Sequence, residues 1–238
     1  MSFNLENLKK HKFSFFENLD ETSHHLDCIF KLIDETWENP PPKITRVTRG
    51  GYTVYEGPSL ANILYAPSFN EEHINCVKKF LINSGAKIKL ENLWNSNIGV
   101  CNIRAYRFTN NPPREKTHYL DILDNNLNIK PHYDTLPKGA LKIMIFKSKD
   151  SKHLTLEHGV TELKPRNKWI PVTGPSPVAI IFPPNIVLHR ANQPKPKKIR
   201  DCIELTVIKR QSGDFLVESA GAHAGYPKDL FAWNNKKT

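Results

Sequence analysis

The rhythm of apolar positions changes along the chain. In the first 37 residues it is helical: Leu26, Ile29, Phe30, Ile33 and Trp37 follow an i, i+3, i+4, i+7 spacing that makes one buried stripe. This whole segment is predicted as helix, ended by Pro40-Pro41-Pro42, because proline lacks the amide donor and restricts the residue before it. Residues 43–68 read as loops and short strands, with Gly50-Gly51 as a turn. A second helix is predicted from about residue 71. Asn70 suits its N-cap, Glu71 and Glu72 its positive end, Ile74, Val77 and Leu81 its buried stripe, and Gly85 its close.

From about residue 97 the texture becomes β. Short strand-like runs cover residues 98–108, 140–146, 176–182, 185–191 and 199–210, separated by turn residues and by no helical pattern. Strands without intervening helices argue for an antiparallel sandwich or barrel rather than a βαβ sheet. The expected fold is mainly β with supporting α. Residues 1–96 form an N-terminal helical support, residues 97–210 a jelly-roll-like core and residues 211–238 a turn-rich tail, all within one domain spanning 1–238.

Composition narrows this picture. A chain of 238 residues encloses a sizeable core without disulfide or metal staples. No run of about 18 apolar residues occurs, so no membrane span is expected. The N-terminus shows no apolar signal region, and a cytoplasmic protein is the expectation. Cys28, Cys76, Cys101 and Cys202 lie far apart without a CxxC spacing and are expected as reduced core residues, not a disulfide frame or zinc site. The net charge of +10 permits binding to nucleic acid. Its spread is diffuse, apart from Lys195, Lys197, Lys198 and Arg200 and the final Lys236-Lys237, so a solubilising lysine-rich surface accounts for it. Any nucleic-acid binding is expected to be weak, salt-sensitive and indifferent to sequence.

The chemistry concentrates at Ile129-Lys130-Pro131-His132-Tyr133-Asp134. His132 and Asp134 are separated by one residue, so an extended backbone points both to one face. An imidazole nitrogen and a carboxylate oxygen there suit one divalent metal. His189, in the strand 185–191, is the best third ligand. Two histidines and one carboxylate leave open octahedral positions, the set used by non-haem iron(II) oxygenases, whereas zinc more often takes a tetrahedral set. An HxD pair alone is a weak signal and is commonly two surface residues.

The signal sharpens at Arg200, eleven residues past His189 at the start of the next strand. The pattern resembles the 2-oxoglutarate- and iron(II)-dependent oxygenase superfamily over residues 98–210. The stretch from His132 to Asp134, followed by residues 139–145, looks most like its phytanoyl-CoA hydroxylase-like branch. The resemblance implies a double-stranded β-helix (cupin-like) core, iron(II) on His132, Asp134 and His189, and Arg200 paired with the far carboxylate of 2-oxoglutarate. It implies a dioxygenase that consumes O2 and 2-oxoglutarate and hydroxylates a small-molecule or carrier-linked substrate, releasing succinate and CO2. Two other readings stay open. The demethylase branch acting on nucleic acid typically carries a second arginine six residues beyond the clamp, where this chain has Thr206. The other is a cupin-like barrel that binds a ligand without catalysis.

Strand alternation adds further candidates. Asn102, Arg104 and Tyr106 share one face of their strand, turned either to the cavity and the co-substrate's carboxylates or to solvent. Arg200, Cys202, Glu204 and Thr206 alternate with Asp201, Ile203, Leu205 and Val207, and the apolar series suits packing on the helices, which turns Arg200 and Thr206 inward. Lys142 is a candidate second anion contact. Arg190, Asn192 and Gln193 either line a substrate mouth or form a simple turn. The histidines at 24, 25, 73, 118, 153, 158 and 223 lack a suitably spaced carboxylate and read as structural or surface residues.

Overall fold

The computed structural model describes residues 3–39, 69–109, 131–134, 136 and 138–210, together with the backbone of 45–49, 52–56, 59–60, 63–65 and 216–217. The first segment is not one helix. It folds as α1 (Leu5–His11), β1 (Ser14–Phe15), α2 (Asp20–Ser23) and α3 (Asp27–Glu38). The interruption is local: Ser14 and Phe16 are buried while Phe13 and Phe15 are half-buried, a period of two that suits a strand. In and just before α3 the expected stripe holds, with Leu26, Ile29, Phe30 and Ile33 buried and Trp37 half-buried. The prolines at 40–42 and the turn expected at Gly50-Gly51 lie outside the described residues; β2 (Thr45–Arg49) pairs antiparallel with β3 (Tyr52–Glu56), Arg49 opposite Tyr52.

After β4 (Ser59–Leu60) and β5 (Ile63–Tyr65) comes α4 (Glu71–Asn83). Asn70 caps it, its side chain accepting from the His73 amide at 3.1 Å while His73 Nδ1 accepts from the Asn70 amide at 3.1 Å. Gly85 closes α4 as expected, just past its last turn. With φ of 72° it reverses the chain directly into α5 (Ala86–Trp94), a helix whose weakly amphipathic sequence hid it. Cys28 and Cys76 correct another expectation: packing of α3 on α4 brings them together as a disulfide, a pairing that 48 residues of separation conceal. Cys101 and Cys202 are buried free thiols.

The strands follow as β6 (Ile98–Thr109), β7 (Leu141–Ser148), β8 (His153–Leu154), β9 (Thr161–Lys164), β10 (Ile170–Pro171), β11 (Gly174–Pro175), β12 (Val178–Phe182), β13 (Leu188–Ala191), β14 (Ile199–Lys209) and β15 (Leu216–Val217). A large sheet runs β1-β12-β7-β14-β6-β5-β4, antiparallel throughout, with β15 joining β6 in parallel. A three-stranded sheet runs β10-β9-β13, and β8 pairs with β11. The segment before residue 97 is therefore more than a helical buttress, because β1, β4 and β5 extend the large sheet.

The two faces of the large sheet do different work. Ile103, Ala105, Ile143, Ile145, Ile203, Leu205 and Val207 pack with Phe30, Ile33, Phe80 and Leu81 of the helices. On the other face Phe108, Phe146, Ile180 and Phe182 pack with Leu163 of the small sheet and with Val160 and Val172. Burying each such side chain contributes about 1.5–3 kcal/mol. The alternation has one break. A register shift at Thr206/Val207 pairs Thr206 with Asn102 but Val207 with Val100, so Cys101 is extra. Val100 and Ile98 consequently join the helix-facing core, while Cys101 packs with Leu136, Ala140 and Ile208.

One ion-pair network fastens α3 to the large sheet. Arg107 donates to both carboxylate oxygens of Asp201, Nε at 2.7 Å and Nη2 at 2.8 Å, and its Nη2 also reaches Asp34, which Lys149 contacts at 2.8 Å. Asp201 is fully buried, and burial raises its carboxyl pKa against the opposing pull of Arg107. Arg107→Leu should cost about 3–5 kcal/mol, the usual penalty for stranding one partner of a buried pair. The loss should shrink as pH falls, because Asp201 is then buried in its neutral form and the stranded charge disappears. Urea denaturation of both proteins across pH measures this; a loss that does not depend on pH would place the cost in packing.

Candidate metal centre and its cavity

His132 and His189 face each other across an isolated antiparallel bridge. The His132 amide donates to the His189 carbonyl at 2.9 Å and the His189 amide donates back at 3.0 Å. Directly opposed residues put their side chains on one face, and the two imidazole rings lie 4.4 Å apart. Asp134 is two residues on and shares that face; its amide is held by the Pro184 carbonyl at 2.9 Å. Asp134 Oδ1 lies 3.6 Å from His132 Nε2 and 3.5 Å from His189 Nε2. One ligand atom from each of the three residues falls within 4.8 Å of the others.

Neighbouring groups fix the donors. His189 Nδ1 sits 3.0 Å from the Val187 carbonyl, which only accepts, so Nδ1 carries a proton and Nε2 is the ring atom turned to the cluster. The edge of Phe182 packs on the same ring. Asp134 Oδ2 is engaged by the Lys142 ammonium, leaving Oδ1 toward the histidines. Burial alone would raise the Asp134 pKa, but the contacts with His189 and Lys142 outweigh it and hold the carboxyl well below the usual range. Lys142 also reaches Glu204 at 3.2 Å, and Glu204 lies 3.6 Å from Arg104 on the adjacent strand. A row of alternating charge thus runs from β6 across β14 and β7 to the metal cluster.

The triad opens on a cavity of about 90 Å³ between the two sheets, and Arg200 lines it from the large sheet. Arg200 is 1% exposed. Its guanidinium lies between the rings of Phe108, at 4.8 Å, and Phe146, at 5.0 Å, and its buried Nε and Nη1 have no hydrogen-bond partner among the described residues. Burial lowers its pKa, partly opposed by Tyr106 and Cys202. The Cys202 thiol beside it is pushed up to about 12 by the same burial.

The structure thus gathers His132, Asp134, His189, Arg200, Tyr106, Arg104 and Lys142 around one cavity. Asn102 and Thr206 are buried and paired with each other on the same face but do not line it. Arg190 borders the cavity, yet its guanidinium is bound to Glu162 through Nε and Nη2 at 2.8 Å and stacked on Trp169 at 4.3 Å. Asn192 and Gln193 lie outside the lining. His158 is buried as a satisfied structural histidine between Ser148 and Asp150, both 3.0 Å from Nε2. Sequence reading gave no role to Glu204, Phe108 and Phe146; the alternation that turned Arg200 inward also turns these three inward.

No family model matches this chain, and no curated protein matches it. Solved structures do. A prolyl hydroxylase from Trichoplax adhaerens, in complex with a hypoxia-inducible factor oxygen-degradation-domain peptide, aligns with TM-score 0.54 at 12% identity over 86% of each chain. SnoN, a non-haem α-ketoglutarate-dependent epimerase from nogalamycin biosynthesis, gives TM-score 0.54 at 8% identity over 86% of this chain and 80% of its own. A 2-oxoglutarate–iron(II) oxygenase family oxidoreductase from Burkholderia pseudomallei gives 0.51 at 12% over 88% and 91%. The chain has the fold of the 2-oxoglutarate- and iron(II)-dependent oxygenases. At these identities the likeness concerns the fold alone. No helix among the described residues is long and apolar enough to cross a membrane.

Two imidazole nitrogens and one carboxylate oxygen fit a divalent first-row metal. Manganese(II), a redox-quiet surrogate, should therefore raise the melting temperature. A ligand that binds only the folded state at a hundred times its Kd adds about 2.7 kcal/mol. Alanine at His132, Asp134 or His189 should remove that increment while the far-ultraviolet circular dichroism stays like that of wild type. Full manganese stabilisation of His189→Ala would show that the cluster is not the metal site.

Proposed function

We propose that this protein is an iron(II)- and 2-oxoglutarate-dependent dioxygenase that hydroxylates a small-molecule or carrier-linked substrate, releasing succinate and CO2. The observation that carries this reading is Arg200, whose buried Nε and Nη1 lack partners among the described residues in the cavity that also holds the His132–Asp134–His189 cluster. A buried, unpaired cation is costly. A carboxylate meeting it forms charge-assisted, fork-shaped hydrogen bonds and removes the cost.

His132, Asp134 and His189 would hold the iron, and Arg200 the far carboxylate of 2-oxoglutarate. Iron with 2-oxoglutarate and O2 supplies the oxidising chemistry. The chain supplies position and shielding. The Val187 carbonyl keeps the His189 proton away from the metal side, and Lys142 steadies the second oxygen of Asp134. Phe108 and Phe146 keep water from the Arg200 guanidinium, which strengthens its attraction for an anion. The double-stranded β-helix reading of the two sheets is supported by their antiparallel order and by the site between them. Placement in the phytanoyl-CoA hydroxylase-like branch rests on the stretch from His132 to Ile145.

The clamp is testable by itself. A charge-assisted bond of this kind is worth about 1.5–3 kcal/mol, so Arg200→Ala should weaken 2-oxoglutarate binding about ten- to a hundred-fold. Arg200→Lys, which keeps the charge and loses the fork, should fall between. Metal affinity should persist in both, because Arg200 is not a ligand. Anaerobic titration of 2-oxoglutarate into the manganese-loaded proteins measures this, and unchanged affinity in Arg200→Ala would overturn the clamp.

A further inference from the structure

The row Arg104–Glu204–Lys142 sits in the same cavity as Arg200, but further along the sheet. Glu204 follows Arg200 by four residues on the same face of β14, about 13 Å between Cα positions. Arg104 is paired directly opposite Glu204 on β6. The Arg200 guanidinium stays at its own end, between Phe108 and Phe146. The Arg104 guanidinium is held at the other end, 3.6 Å from Glu204.

Exposure orders the row. The Glu204 and Lys142 side chains are 9% and 7% exposed, whereas that of Arg104 is 28% exposed. The Glu204 carboxylate already serves two cations, at 3.2 and 3.6 Å. Lys142 is divided between Glu204 and Asp134. Of this row, Arg104 is thus the member most open to an incoming molecule, on a cavity wall that also carries Asp134, Lys142, Arg200 and Glu204. A guanidinium favours carboxylate and phosphate groups, whose oxygens match its donors.

We propose that Arg104 is a specificity-determining residue that recognises an anionic group, carboxylate or phosphate, on a small polar substrate. The proposal rests on the dioxygenase reading above for what becomes of that substrate. It also moves Arg104 from the co-substrate contacts, where strand alternation had placed it, to the substrate side of the cavity.

The test uses matched pairs: short-chain carboxylic acids against their primary amides, and phosphate monoesters against their parent alcohols. Binding to the full chain is read by ligand-observed NMR, with and without manganese(II) and saturating 2-oxoglutarate. At least one acid or phosphate should bind about ten-fold or more tightly than its neutral twin, the size of one charge-assisted hydrogen bond. Arg104→Leu should erase that preference and Arg104→Lys should keep part of it. Both variants leave Glu204 with Lys142. Equal binding within every pair, including no binding at all, overturns the proposal, as does a preference untouched by Arg104→Leu. Whether carboxylates or phosphates show the larger preference identifies the group. If manganese and 2-oxoglutarate fail to bind while the Arg104-dependent preference survives, the dioxygenase reading falls and this one stands.

Discussion

Two backbone hydrogen bonds, exchanged between His132 and His189, carry the candidate site. The residues are 57 positions apart in sequence, and no shared strand holds them, because His132 pairs through an isolated bridge. Once those bonds form, most of the geometry follows. Opposed residues place their side chains together, period two brings Asp134 to the same face, and the Pro184 carbonyl fixes the Asp134 amide. The small sheet then holds His189 in register through the pairing of β13 with β9, where His189 stands opposite Leu163 in the inter-sheet core. The candidate metal-ligating atoms are thus set by main-chain pairing, the stiffest feature of a β protein, and not by flexible side chains.

Much of this was legible in the sequence because period two is a strict rule. It placed His132 with Asp134, and it turned Arg200 inward while sending Ile203, Leu205 and Val207 to the helices. What escaped reading was where that rule is interrupted or where the contact is remote. The extra residue at Cys101 reverses the alternation for Val100 and Ile98, and nothing in the local sequence marks it. The helical stripe around Ile29 masked a strand only a dozen residues earlier, where four residues of alternating burial were too few to stand out. Helix α5 lacks a strong apolar stripe and took its place from Gly85 and the helices beside it. The meeting of Cys28 with Cys76 depends on how α3 lies on α4, which no spacing encodes. Glu204 was visible as an inward residue, but its partnership with Arg104 and Lys142 needed the strand order.

β14 divides its charges by face, and this division explains how one strand serves both stability and a candidate binding site. Asp201 points to the helices, where Arg107 satisfies both oxygens and Asp34 adds a second anion. Arg200, its neighbour, points to the cavity and has two donors with no partner among the described residues. Because adjacent residues of a strand face opposite ways, the two cations see different surroundings despite their proximity in register. Arg107 fastens the helical layer with a completed network. Arg200 lies in a dry aromatic setting that raises the cost of its isolation. That cost is borne by the rest of the fold, through the apolar contacts on both sides of the large sheet. The strand therefore offers an anion a preorganised partner whose burial was already met during folding. Complexation needs only the anion's own desolvation and ordering, which is why a buried guanidinium makes a stronger anion site than one on an exposed loop.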